Sequence, residues 1–117
     1  MSEDHPANVI VLQPNTSFED LTAIVKKSGL VFADFFATWC PPCQRLISQI
    51  PSLAAEFPNV TFVKVNVDNN EALSAHFNVS SIPHIAFLKF VDGQVKTLET
   101  VVGFNLPKIK QALTTHQ

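Results

Sequence analysis

Leu30-Val31-Phe32-Ala33-Asp34-Phe35-Phe36-Ala37-Thr38-Trp39-Cys40-Pro41-Pro42-Cys43 is the stretch on which the rest of the chain turns. Leu30–Ala37 is a nearly continuous apolar run, the pattern of a strand buried on both faces. Asp34 is its one charge. The run is followed at once by Cys40 and Cys43, the only two cysteines of the chain. Two thiols three residues apart at a strand-to-helix junction can close a disulfide and reopen it, so the pattern points to redox chemistry.

The flanking sequence supplies the other elements. Upstream, Val9–Leu12 is a short strand ended by Gln13-Pro14-Asn15. Thr16 or Ser17 caps a helix, and Thr16-x-x-Glu19 fits a capping box. Phe18, Leu21, Ile24 and Val25 recur at helical spacing, and Gly29 is expected to stop that helix. Downstream, a second helix runs from the cysteines to Phe57, and Pro51 inside it should kink it by removing one hydrogen bond. Thr61–Val67 reads as a strand and Glu71–Phe77 as a short helix. Ile85–Phe90 and Gln94–Val102 read as strands around Asp92-Gly93, a strong hairpin signal. Asn105 caps a last helix, with Pro107 tolerated in its first turn. The order β-α-β-α-β-α-β-β-α predicts an α/β fold: a central mixed β-sheet flanked by helices on both faces, formed by one domain over residues 1–117.

Composition narrows the function. The 117 residues are 46% hydrophobic with ten Phe, enough for a core without a disulfide staple, which weakens a structural reading of the cysteines. A net charge of −2 and a pI of about 6.0 with no basic arm argue against nucleic acid as a partner. Apolar runs of about eight residues are too short to cross a bilayer. Met1-Ser2-Glu3-Asp4-His5 is acidic and lacks the basic start of a signal peptide. A cytoplasmic protein is expected, where a lone Cys-x-x-Cys is more often catalytic than structural.

The residues around the cysteines resemble those of the thioredoxin family. Asp34 to Cys43 is similar to the family's active-site segment, and Lys64-Val65-Asn66-Val67-Asp68, Ile82-Pro83 and Val102-Gly103 follow in the family's order. The resemblance covers roughly residues 8 to 115. Five features depart from it. Pro41 stands where Gly is usual, giving a Cys-Pro-Pro-Cys site as in tryparedoxins and nucleoredoxins. Gln44 stands where Lys is common, and Ser48 replaces the usual helix proline, with Pro51 three positions later. His84 stands where Thr is usual, and the Pro83–Gly93 segment is about two residues longer than in most members.

The resemblance implies a thioredoxin-like fold and a thiol–disulfide oxidoreductase that reduces protein disulfides through a Cys40–Cys43 cycle. No bound cofactor is expected: electrons would come from NADPH through thioredoxin reductase and go to oxidised proteins such as peroxiredoxins. It implies a buried acid at Asp34 near the resolving cysteine, paired with a lysine at Lys64. It also implies a cis Ile82-Pro83 bond facing the cysteines. The substrate groove would be formed by Trp39, Pro41, Pro42, Ile82, Pro83 and Gly103. Two other readings stay open: a tryparedoxin- or nucleoredoxin-like carrier serving peroxidases from a small thiol, and a redox-regulated binding module. Two thiolates without a second Cys/His pair do not make a four-ligand metal site, so no metal is expected.

The chemistry suits these residues. With Cys40 at the helix N-cap, Pro41 and Pro42 fall at N1 and N2, where a missing N–H costs little. Pro42 cannot donate to the cap, so the amide of Cys43 is the donor left for the Cys40 sulfur. The helix dipole adds partial positive charge there. A thiol lowered from ~8.5 to about 7, the value attributed to thioredoxin itself, gains roughly 15-fold in thiolate at neutral pH. It loses about 5-fold in nucleophilicity, a net gain of only about 3-fold. The nearby resolving thiol Cys43 must therefore matter as much as the shift. Asp34 reads either as a surface-edge carboxylate or as the base that takes the Cys43 proton, directly or through water. Trp39 reads equally as a core aromatic or an exposed rim contact. His84 is either an ordinary strand residue or a group close to Cys40 that makes its thiolate pH-sensitive. His5, His76 and His116 read as surface or terminal residues.

Overall fold

The computed structural model describes residues 6–117; His5 and the acidic start of the chain lie outside the described residues. Its elements run β1 (Val9–Val11), α1 (Phe18–Lys27), β2 (Leu30–Phe36), α2 (Pro41–Glu56), β3 (Val60–Asn66), a 3₁₀ turn (Val67–Asn69), α3 (Glu71–His76), β4 (His84–Val91), β5 (Gln94–Val102) and α4 (Leu106–His116). The five strands form one sheet in the order β1-β3-β2-β4-β5. β1, β3 and β2 are parallel, while β4 and β5 are antiparallel additions. The expected mixed sheet is therefore present, and β2 lies at its centre.

Burial of β2 on both faces explains its sequence. Leu30 and Phe32 join Phe62, Ile85 and Phe87 on the face covered by α2 and α4. Val31, Ala33 and Phe35 join Val63, Val65, Ala86 and Leu88 on the face covered by α1 and α3. The first face is centred on aromatic rings: Phe32 lies 4.8 Å from Phe62 and 5.5 Å, edge-on, from Phe87. Rings at these spacings add attraction beyond the area they bury. The hairpin turn has positive φ at both Asp92 (53°) and Gly93 (82°), the arrangement that matches strand twist in a two-residue loop.

Several local expectations need correction. The cap of α1 is Ser17, whose hydroxyl accepts from the Asp20 amide at 3.0 Å. Thr16 is engaged elsewhere: its N–H donates to Asn70 Oδ1 and its hydroxyl to the Gln13 carbonyl, so the Thr16–Glu19 box does not form. The α1 helix ends on an extended Ser28 rather than on a left-handed Gly29. β3 starts one residue earlier than Thr61 and stops at Asn66. There the Asn66 side chain accepts from the Asp68 amide at 2.9 Å and bends the backbone into the 3₁₀ turn, a local bond that competes with the strand ladder. The expected run of α2 past its internal Pro51 is present: the helix continues to Glu56 and is capped at Phe57. Pro51 is exposed while Ile50, Leu53 and Ala54 bury against the sheet, so packing on both sides of the proline carries the helix across it.

Candidate active site

β2 ends at Phe36 and α2 begins at Pro41, so a four-residue loop delivers Cys40 to the helix N-cap. Cys40 is extended (φ −98°, ψ 110°), with Pro41 and Pro42 in the first turn. Its sulfur accepts from the Cys43 amide at 3.3 Å. Both prolines thus occupy positions where an N–H would have no helical partner, and the first free amide of α2 points at sulfur. Cys40 and Cys43 are joined in a disulfide with their Cα atoms 5.2 Å apart, within the range such bonds span. The two residues are not equivalent: Cys40 keeps 4% of its surface exposed and Cys43 none. Cys43 is covered by a small apolar cluster with Ala37, Phe36, Val67 and Ile82.

Asp34 is fully buried. It lies on the α2 face of β2, opposite Ile85 on β4 and Lys64 on β3. Two residues further along the same face, Phe36 packs against the cysteine cluster. Neither carboxylate oxygen has a hydrogen-bond partner among the described residues. Burial pushes the Asp34 carboxyl up from 3.8 to about 7, and the Lys64 charge only partly opposes this. Lys64 faces Asp34 across the register, but no ion pair joins them among the described residues. The implied pairing is therefore a longer-range attraction. A buried carboxyl poised near neutral pH can hold or give up a proton there.

Of the residues expected to line a groove, Ile82 is the one brought to the Cys40 sulfur from a distant part of the chain. The Ile82-Pro83 bond is cis, and the Ile82 carbonyl oxygen lies 3.8 Å from the Cys40 sulfur. That approach becomes a hydrogen bond only when the thiol carries its proton. Gly103, at φ 90°, donates its N–H to the Pro83 carbonyl at 2.8 Å. A side chain at that φ would be strained. Trp39 is 68% exposed, so it is not a core aromatic. Its indole N–H donates to Asp68 Oδ2 at 2.9 Å. Val102, 55% exposed, adds a second apolar surface beside Gly103 in sequence.

His84 is oriented away from this chemistry. It opens β4 opposite Phe35, and its ring meets Phe35 edge-on at 5.7 Å, on the α1/α3 face of the sheet. It is only 8% exposed, and burial lowers its pKa below the ordinary imidazole value. The ordinary strand reading therefore describes it. His76 is exposed and stacks 4.0 Å from Phe18, while His116 pairs with Glu99 at 2.8 Å.

Sequence reasoning gave no role to Asp68 or Gln44. Asp68 belongs to the segment that resembles the family, but its contact with Trp39 spans 29 positions and follows no local pattern. Gln44 carries a usable signal, an uncharged amide directly after Cys43. No group of three or more His, Cys, Asp or Glu side chains able to hold a metal ion occurs among the described residues. No helix among them is long and apolar enough to cross a membrane.

Comparison with known proteins fits this geometry. A family model described as thioredoxin matches residues 9–115. A thioredoxin of Chlamydia trachomatis is 46% identical over 76 residues, covering 65% of this chain and 71% of that protein. Thioredoxin-2 of Pyricularia oryzae is 36% identical over 101 residues, covering 86% of this chain but only 57% of that protein. The solved structure of Trichomonas vaginalis thioredoxin superposes with a TM-score of 0.86 at 40% identity, covering 94% of this chain and 98% of the other.

Proposed function

Because this chain belongs to the thioredoxin family, we propose that it reduces protein disulfides through Cys40 and Cys43, drawing electrons from NADPH through a thioredoxin reductase. That it is a thiol–disulfide oxidoreductase follows from the family and from the disulfide itself. The observation that carries the finer reading is the asymmetry of the pair. Cys40 is reachable and capped by an amide donor, whereas Cys43 is sealed beneath it.

The cycle is balanced in thiols. The Cys40 thiolate attacks a substrate disulfide, forming a mixed disulfide and releasing one substrate thiolate, which takes up a proton. Cys43, deprotonated, then attacks Cys40 sulfur. The Cys40–Cys43 bond forms and the second substrate thiol leaves. Two electrons have passed to the substrate, and the reductase returns two from NADPH. The helix N-terminus and the Cys43 amide favour the Cys40 thiolate. Asp34 accepts the Cys43 proton, directly or through water, and Lys64 tunes its charge. Trp39, Pro41, Pro42, Ile82, Pro83 and Gly103 form the groove in which an extended substrate segment lies, with backbone groups beside Pro83 available to pair with it.

We read residues 1–117 as one such domain, acting in the cytoplasm as an electron carrier that maintains protein thiols, with peroxiredoxins among its substrates. The Cys-Pro-Pro-Cys sequence raises the alternative of a carrier fed by a small thiol. Recharging of the oxidised protein separates them. NADPH with thioredoxin reductase should sustain turnover, and glutathione alone should sustain under a tenth of it. The reverse preference would assign the chain to the small-thiol-fed carriers.

A further inference from the structure

We propose that Gln44 is a positioning residue that holds Cys40 at its N-cap when the disulfide is open. The proposal rests on Cys40 as the attacking thiol. The Gln44 side-chain amide donates to the Thr38 carbonyl at 3.2 Å and reaches the Ala37 carbonyl at 3.5 Å. It thereby ties the first turn of α2 back to the loop that delivers Trp39 and Cys40.

Few other groups can do this. Pro41 and Pro42 have no N–H to offer. The Cys43 amide is committed to the Cys40 sulfur and the Gln44 amide to the Cys40 carbonyl. Within the loop, the Cys40 amide bonds to the Ala37 carbonyl at 3.3 Å. In the oxidised protein the Cys40–Cys43 bond itself fixes the sulfur against the helix. Reduction removes that covalent tie. The loop then depends on the Cys40 backbone bond, the Trp39–Asp68 bond at 2.9 Å and the Gln44 bridge. Gln44 therefore acts mainly on the reduced form. Losing its bridge lets the thiolate drift from the Cys43 amide and the helix end, where its charge is stabilised.

The test uses the full reduced chain with Gln44→Met, which keeps length and shape without donors, and Gln44→Lys, which restores a donor. The Lys variant is read at about 0.5 M salt, where its added charge is largely screened. Three quantities are measured: Cys40 alkylation by iodoacetamide across pH, the redox equilibrium with dithiothreitol, and the fluorescence anisotropy of Trp39, the only tryptophan. Gln44→Met should raise the thiol midpoint and shift the equilibrium toward the disulfide by about 5-fold, the size of one hydrogen bond. It should also loosen Trp39 in the reduced form only, and Gln44→Lys should restore all three. Wild-type values in Gln44→Met would overturn the proposal. So would a lowered melting temperature with an unmoved thiol midpoint, the mark of a merely structural contact. A wild-type Cys40 that titrates like a free thiol would overturn its assignment as the activated thiol, and that is read before any variant is made.

Discussion

Asp34→Asn is expected to make the protein more stable at pH 8 and slower in its second chemical step. The folded-state carboxyl titrates at about 7 against 3.8 when unfolded. A raised carboxyl binds its proton more tightly in the folded state. Its stabilising effect is complete below about pH 4, shrinks as pH rises from there through 7, and levels off above. At pH 8 the wild type must bury a charge with no hydrogen-bond partner, whereas Asn is neutral at every pH. A rise from 3.8 to about 7 corresponds to about 4 kcal/mol at most. Because an Asn side chain also lacks partners there, a gain of about 2–3 kcal/mol at pH 8 is expected, with little or no gain at pH 4. Urea unfolding at the two pH values measures it. Parallel stability curves for wild type and variant would show that Asp34 is not the buried titrating group. In catalysis, the same variant should slow release of the second substrate thiol while the first attack by Cys40 is nearly unchanged. Wild-type resolution should rise with pH through about 7. Equal slowing of both steps would remove Asp34 from the proton transfer.

Cys43→Ser is expected to have the larger effect on turnover. The first attack needs only Cys40 and its environment, so the initial burst of substrate thiol survives. Resolution does not. In the wild type the second thiol is held within the same helical turn, its Cα 5.2 Å from that of Cys40, and intramolecular thiols outcompete external ones by effective concentrations of about 10⁵ M or more. A serine hydroxyl cannot replace the thiolate. The variant should accumulate a one-to-one mixed disulfide through Cys40, and multiple turnover should fall by about 10³-fold or more. Non-reducing electrophoresis and mass spectrometry detect the adduct. An adduct through any other residue, or none, would contradict the order of steps.

The sequence made the sheet legible because its decisive residues are local. Leu30–Ala37 announces a doubly buried strand, Asp92-Gly93 a tight hairpin, and Asn105 with Pro107 a helix start, which the structure places over Leu106–His116. The Pro-Pro spacing also sufficed to direct the Cys43 amide to the Cys40 sulfur. What escaped depends on partners remote in sequence. Thr16 lost the α1 cap because Asn70, 54 positions away, takes its amide. Trp39 could be a core aromatic on sequence grounds, but Asp68, 29 positions away, holds its indole at the surface. His84 follows the cis-proline in sequence, yet strand alternation turns its ring to Phe35 and leaves Ile85 beside Asp34. The state of Asp34 needed its surroundings: the residue type suggests a base, but its poise near neutral pH comes from complete burial with no ion pair to Lys64.

The most direct test of the Cys40–Cys43 cycle is multiple-turnover reduction of a disulfide-bonded protein, comparing wild type with Cys40→Ser under one saturating reductase and NADPH supply. The account predicts sustained NADPH consumption with the wild type and a background rate with Cys40→Ser. Turnover that persists in the variant, or a wild type that binds the substrate without reducing it, would contradict the dithiol cycle.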